Sequence, residues 1–295
     1  MTYSIVARDR ETGALGVAVQ SHWFSVGPLV PWAEPGVGAV ATQANVEVAY
    51  GPRALALLRA GRSAPEALAE LLGADEHAAV RQVAVVDAAG RVAVHTGDGC
   101  MPFAGHVTGD EFTCQANLMA TAGVWPAMAA AFAGAQGPLA RRLLAALDAG
   151  EAAGGDVRGR QSAAIVVVAA GGEPWRRQVD LRVEDHPEPL AELRRLLLLR
   201  DAYDLAGDGD RLTGEGRLAE AADQYVAAHA AAPDSTELAF WAGLSLVARQ
   251  DAERGLALVR RAVAAHPGWA ALLDRLDPEA APGVEETRRL LGGSG

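Results

Sequence analysis

The order in which segments typical of strands and helices alternate constrains the fold of this chain more than any other feature. Residues 1–9 alternate in polarity, with Tyr3, Ile5 and Ala7 on one side, and residues 14–21 form a second predicted strand after a polar turn that ends in glycine. Two strands joined by so short a turn predict a hairpin, and hairpins without helical crossovers favour antiparallel sheets.

The first two-thirds of the chain continue this succession, as helix pairs that alternate with strand pairs. Further strands are predicted at residues 38–43, 83–87, 92–96, 105–109, 112–118, 160–170 and 179–183, and helices at 52–59, 63–72, 124–133 and 139–150, with 31–36 as a loop. The second helix begins with a capping box, in which Ser63 is the N-cap and Glu66 stands at N3. Two antiparallel sheets with helix pairs on their outer faces would form a four-layer αββα sandwich, an α+β fold whose central first strand opens at its start into a cleft.

The last third is rich in alanine and predicts helices only. Pro233 and Pro267 are 34 residues apart, and small residues recur at the same offset. This period resembles the tetratricopeptide repeat, in about two copies. So few repeats imply docking on the first domain, on a second subunit in a homodimer or on a protein partner. The predicted domains are residues 1–187 for the sandwich, 188–200 for a linker helix and 201–291 for the repeats.

Composition excludes several classes of protein. The formal net charge of −11, with all 26 cations arginine, argues against non-specific binding to nucleic acid or to an anionic membrane. Two cysteines, Cys100 and Cys114, cannot form a disulfide framework, and no residue spacing indicates a metal or cofactor site. There is no signal-like segment and no apolar run of transmembrane length, so we expect a cytoplasmic protein.

Thr2 is the first candidate catalytic residue. Removal of Met1 would leave a free α-amine beside the Thr2 hydroxyl, which is a nucleophile and a base within one residue. The pKa of an α-amine lies near 8, so much of it is neutral near the operating pH. Ser4 points to the same side of the strand, where it hydrogen-bonds the amine or is a buried strand hydroxyl.

Polar residues at the ends of other predicted strands could complete the site. His22 could contact substrate or orient a carboxylate, and is otherwise a histidine of the core or rim. Gln43, Asn45 and Asn117 could donate hydrogen bonds to substrate or to an oxyanion, although amides at strand ends are also frequent turn residues.

A glycine-rich segment before the most apolar strand carries Asp156, Arg158 and Arg160. Either arginine could orient an acidic substrate by binding its carboxylate. Alternatively, Asp156 forms an ion pair with one arginine and fixes the turn.

Several of these segments together resemble the bacterial DUF1028 family, assigned to the N-terminal-nucleophile (Ntn) hydrolase superfamily. The resemblance covers roughly residues 1–199 and is carried by segments such as MTYSIVARD, GALGVAVQSHWFSVG, GGDVRGRQSAA and VDLRVEDHPEPLAELRRL. It implies an αββα sandwich and hydrolysis of an amide-type bond, with Thr2 as the nucleophile once Met1 is removed. It supplies no substrate, and a helper lysine cannot be carried over because the chain has none.

The sequence therefore leaves three alternative functions. The first is an Ntn-type amidohydrolase that cleaves a small amide, cyclic amide or peptide-like bond through Thr2. The second is a non-catalytic sandwich whose helical repeats bind another protein. The third is an enzyme of the same fold that depends on Ser4 or Cys114 instead.

Overall fold

The computed structural model describes residues 2–292, and the chain divides between Arg194 and Arg195 into two compact units. The first unit holds the strands β1 (Thr2–Arg8), β2 (Leu15–Ser21), β3 (Pro31–Glu34), β4 (Gly38–Ala44), β5 (Arg81–Asp87), β6 (Val92–Thr96), β7 (Gly105–Gly109), β8 (Phe112–Asn117), β9 (Ser162–Val168) and β10 (Val179–Val183). Its helices are α1 (Tyr50–Arg59), α2 (Ala64–Gly73), α3 (Val124–Gly134) and α4 (Leu139–Ala152). The capping box of α2 is confirmed, because Ser63 and Glu66 bond each other's backbone N–H.

The strands form two antiparallel sheets. One has six strands in the order β10-β9-β2-β1-β8-β7, and the other has four in the order β3-β4-β5-β6. Every strand pair is antiparallel, as the predicted hairpins require. The first strand is central in the larger sheet, where Thr2 lies opposite Ser21 on one side and Asn117 on the other.

The two sheets share a core of small and β-branched side chains. Val6 and Val17 of the larger sheet are fully buried in one cluster with Ala41 and Ala84 of the smaller sheet. Helices α1 and α2 cover the other face of the smaller sheet, and α3 and α4 pack on the larger one. Burial of one such aliphatic side chain contributes about 1.5–3 kcal/mol relative to exposure.

The predicted loop at residues 31–36 was wrong in part, because residues 31–34 form strand β3. This strand is at the edge of its sheet and begins with Pro31, a position where the missing N–H costs no ladder hydrogen bond. Its four residues are too few to show an alternating pattern, so only the pairing with β4 identifies it as a strand.

The predicted linker helix is part of a longer one. Helix α5 (Pro189–Gly214) has 26 residues, so no break occurs at residue 200. Its glycines, such as Gly207, weaken a helix without ending it. None of the helices within residues 2–292 has the length and apolar character needed to cross a bilayer.

The second unit is helical throughout its described part. It contains α6 (Leu218–Ala231), α7 (Thr236–Ala248), α8 (Ala252–Ala265), α9 (Gly268–Arg275) and α10 (Val284–Gly292). The 34-residue offset recurs in the packing, since a Cβ on Gly209 would lie 2.9 Å from the Tyr225 ring and one on Gly243 would lie 2.8 Å from Val259. Glycine at both positions therefore allows two equivalent close approaches.

Candidate active site

Several strand ends meet at one edge of the two sheets. Thr2 begins β1 there, between the last residues of β2 and β8. In the smaller sheet β4 ends and β5 begins at the same edge, where Gln43 is paired with Gln82. Antiparallel pairing thus brings together polar residues that are up to 115 positions apart in the sequence, as Thr2 and Asn117 are.

Two buried amides hold the backbone of Thr2. Its carbonyl oxygen accepts hydrogen bonds from Gln43 Nε2 at 3.2 Å and from Asn117 Nδ2 at 3.3 Å. Its side-chain hydroxyl donates to Ser21 Oγ at 3.0 Å, and the residue as a whole is 3 % exposed. These contacts fix the position of the Thr2 Oγ relative to both sheets. The Met1 removal that the Thr2 hypothesis needs concerns a residue outside the described part of the chain.

Gln82 connects these amides, and the sequence analysis did not single it out. Its Oε1 accepts from Gln43 Nε2 at 2.7 Å and from Asn117 Nδ2 at 2.8 Å. Its Nε2 donates to Thr96 Oγ1 at 2.9 Å and to the Ala116 carbonyl oxygen at 2.9 Å. The sequence pattern that could have indicated Gln82 is RQVAVVD, a strand of mostly apolar residues that carries an amide near its start. All seven of its residues are buried.

Ser4 belongs to the same network. Its hydroxyl donates to Gln43 Oε1 and accepts from Gln115 Nε2, both at 2.6 Å, and the side chain is fully buried between the sheets. Both of its hydrogen-bonding directions are therefore occupied by amides, which orient Gln43 toward Thr2. The Gln115 Oε1 atom is buried without a partner in the described structure.

A cavity of about 390 Å³ opens at this edge, with Thr2 and Gln43 among its lining residues. This volume lies in the range of small-molecule sites. Asn45 also lines the cavity and is exposed. Its side-chain amide makes no hydrogen bond within the described part of the chain. The other lining residues are apolar or carry small side chains: Trp23, Val26, Leu29, Val30, Ala44, Val46, Val80, Gly99, Cys100 and Met101.

Buried polar side chains hold the loops that form the cavity walls. Ser162 donates to the Trp23 carbonyl oxygen at 2.6 Å and accepts from the Val26 N–H at 3.1 Å. Arg81 donates to the Asn45 carbonyl oxygen at 2.6 Å and to Asp75 at 2.8 Å. The hydrogen bond from Arg81 lowers the pKa of Asp75 to about 2, so this pair is charged at neutral pH.

Two residues beside the site have left-handed backbone conformations. Ala44 follows Gln43 with φ = 71°, and Leu118 follows Asn117 with φ = 56°. Left-handed conformations cost a non-glycine residue of order 1–3 kcal/mol and persist where the surroundings impose them. Both residues come directly after an amide that binds Thr2, so the strain accompanies the orientation of these amides.

His22, Asp156 and Arg158 form a separate cluster next to the end of β2. The fully buried Asp156 carboxylate accepts from the His22 N–H at 3.2 Å and from Arg158 Nη2 at 2.7 Å and Nε at 3.0 Å. The Asp156 ion pair therefore fixes the glycine-rich turn, as the alternative interpretation expected. None of the three lines the cavity that contains Thr2.

Arg160 is also engaged in ion pairs. Its Nε lies 3.1 Å from Glu151 Oε1, and its guanidinium also contacts Glu188. Glu151 in turn accepts a hydrogen bond from the Tyr3 hydroxyl at 2.8 Å. Burial, together with this carboxylate, raises the pKa of Tyr3.

The two thiols are poor nucleophiles at neutral pH. Cys114 is fully buried, and burial raises the pKa of its thiol strongly; burial also raises the pKa of Cys100. Within residues 2–292, no three His, Cys, Asp or Glu side chains are grouped so that they could hold a metal ion.

Comparison with solved structures found a match that shares the family of this chain. Protein SPO2555 from Silicibacter pomeroyi, whose crystal structure is described as that of a DUF1028 protein, is 34% identical, with a TM-score of 0.61 over 66% of this chain and 87% of that one. Anbu (ancestral beta-subunit) from Yersinia bercovieri is 13% identical with a TM-score of 0.33, over 66% of this chain and 92% of its own, a likeness that carries no argument. The comparison with curated proteins gave no match.

Comparison with protein families is consistent with the structural match. The family described as "Family of unknown function (DUF1028)" matches residues 2–193, which include every residue of the network around Thr2 and the whole cavity lining. The chain therefore belongs to the DUF1028 family.

Proposed function

We propose that the chain is an Ntn-type amidohydrolase of αββα sandwich architecture, in which Thr2 is the nucleophile after the residue before it is removed. The observation that carries the proposal is the position of Thr2 at the floor of the cavity, with its carbonyl oxygen held by the Gln43 and Asn117 amides. A threonine held in this way presents its hydroxyl and, once freed, its α-amine to a substrate in the cavity.

The proton transfers of the reaction need no group besides this residue, the substrate and water. The Thr2 Oγ attacks the amide carbonyl carbon while its proton passes to the neutral α-amine. The resulting ammonium then protonates the leaving amine as the C–N bond breaks, which leaves an ester on Thr2. Water, deprotonated by the same α-amine, hydrolyses the ester and releases the acid.

We assign different roles to the three candidate oxyanion donors. Gln43 and Asn117 already donate to Thr2 and Gln82, so we assign them to positioning the nucleophile. Asn45 lines the cavity with a solvent-accessible amide, and we assign the oxyanion to it. Ser4 supports Gln43 and does not reach substrate in this scheme.

The second unit is proposed to be a pair of tetratricopeptide-like repeats. The support is the equivalence of its two glycine contacts at an offset of 34 residues. Such a unit would supply a protein-binding or self-association surface. Light scattering of the full chain tests the dimer, and a strict monomer would refute it.

Intact mass and active-site labelling test the enzyme proposal together. The active protein should begin at Thr2 by mass, and an electrophilic amide mimic should add to Thr2 and to no other residue. Thr2→Ala should abolish amide hydrolysis, whereas Asn45→Ala should lower kcat by about 10²–10³-fold with little change in KM. Full retention of Met1 in active protein would overturn the mechanism and favour an enzyme of the same fold that depends on other residues, such as Ser4 or Cys114.

A further inference from the structure

We propose that the site takes amides whose acyl group is uncharged and apolar, with the acyl chain lying in the cavity beside Thr2. This inference rests on the proposed function, because it identifies the acyl side by its place next to the nucleophile. It replaces the acidic substrate expected from the arginines of the glycine-rich turn.

The walls of the cavity supply the first argument. Val26 and Val30 are 2 % and 3 % exposed, and Leu29, Val46 and Val80 complete an aliphatic surface around the opening. Among the lining residues in the described chain, none carries a charged side chain. A carboxylate on the acyl chain, placed against these walls, would lose hydration without gaining a cationic side chain as its partner, which costs several kcal/mol for an isolated ion.

The nearby arginines supply the second argument, because each already forms an ion pair with a carboxylate. Arg158 binds the buried Asp156 carboxylate, and Arg160 binds Glu151 and Glu188. Arg81 is paired with Asp75 and lies under the wall, where it donates to a backbone carbonyl. Redirecting any of these guanidinium groups to a substrate would leave a carboxylate unpaired, and for Asp156 that carboxylate is fully buried.

The rim extends the apolar surface outward. The Trp23 and Met101 side chains, 56 % and 50 % exposed, stand among the lining residues. Large apolar side chains exposed around an opening are typical of ligand-binding grooves. A longer acyl chain would therefore continue from the cavity onto these two side chains, and the leaving amine would face solvent.

Binding to the Thr2→Ala variant tests the inference separately from catalysis. The probes are 4-methylpentanamide and succinamate, which match in shape except that an isopropyl group replaces a carboxylate, together with the cationic 4-aminobutanamide. By calorimetry we expect the neutral amide to bind at least tenfold more tightly than either ion. Equal affinities, tighter binding of an ion, or no binding by any probe would overturn the inference. If the expected binding preference is found but the unsubstituted protein shows no Thr2-dependent amide hydrolysis, only the proposed function is overturned.

A charge introduced at the wall provides the converse test. Val46 is partly exposed, so Val46→Arg places a guanidinium at the cavity without a new buried charge. The ratio of succinamate to 4-methylpentanamide affinity should rise at least tenfold. Val179→Arg, on edge strand β10 and outside the cavity lining, is the matched control and should leave the ratio unchanged. An unchanged ratio in Val46→Arg with the control folded would place the acyl group elsewhere and overturn the inference.

Discussion

The substitution Gln82→Met should destabilise the packing of the two sheets at the edge that carries the site, because several hydrogen bonds depend on this one side chain. Methionine keeps the length and burial of the glutamine but removes both its acceptor and its donors. Gln43 Nε2 and Asn117 Nδ2 would each lose a short hydrogen bond of 2.7–2.8 Å, and these two donors would keep only their longer bonds to backbone carbonyls.

The magnitude follows from counting unsatisfied groups. A buried donor left without a partner costs about 1–3 kcal/mol, and two N–H groups lose Gln82 Oε1. For two donors the sum would be about 2–6 kcal/mol. Because both donors keep a bond to the Thr2 carbonyl, we expect the lower part of this sum, about 2–4 kcal/mol. At 1.4 kcal/mol per factor of ten, amides that exchange through this opening should exchange roughly 30- to 1,000-fold faster.

Native-state hydrogen exchange read by mass spectrometry is the suitable assay, because it separates the two units of the chain. Peptides from β1, β5 and β8 should lose protection, while those from α7 and α8 should not change. Gln136→Met, at an exposed loop position, is the matched control and should stay within about 0.5 kcal/mol. A change below 0.5 kcal/mol in the β1 and β5 peptides of Gln82→Met would refute the role assigned to the network.

Three further changes test other parts of the structure. If the Thr2 α-amine is the base, kcat/KM should rise with pH and level off above the amine pKa, near 8; a rate independent of pH between 5 and 9 would contradict it. The depressed pKa of Asp75, about 2 against 3.8 unfolded, contributes stability that is complete above pH 4 and lost as pH falls toward 2; thermal melts of Asp75→Asn should lack this loss. Gly243→Ala should destabilise the helical unit by about 1–3 kcal/mol, because the new Cβ would lie 2.8 Å from the Gly255 carbonyl oxygen. Gly207→Ala, where the Cβ meets nothing within 4 Å, should instead stabilise the helix by roughly 0.5–1 kcal/mol, and equal effects in circular-dichroism melts would refute the contact argument.

Local patterns in the sequence were sufficient for most of the fold. The alternation in residues 2–8 predicted which side chains share a face of the strand, since successive residues of a strand point to opposite faces. The Ser63 capping box located the start of α2 because its hydrogen bonds span only three residues. Strand β3 was missed because its identity depends on pairing, and the end of α5 was missed because no residue near position 200 breaks a helix.

The sequence by itself determined that Thr2 starts a central strand and that amides stand at the ends of its neighbours. Only the tertiary structure decided what these groups do, because the same side chain can donate to substrate or to its own protein. Sheet packing commits Gln43 and Asn117 to Thr2, and it brings in Gln82 as their shared acceptor. It also pairs Arg158 with the Asp156 carboxylate, which would be costly to bury alone, and so the described residues that line the cavity beside Thr2 include no charged side chain.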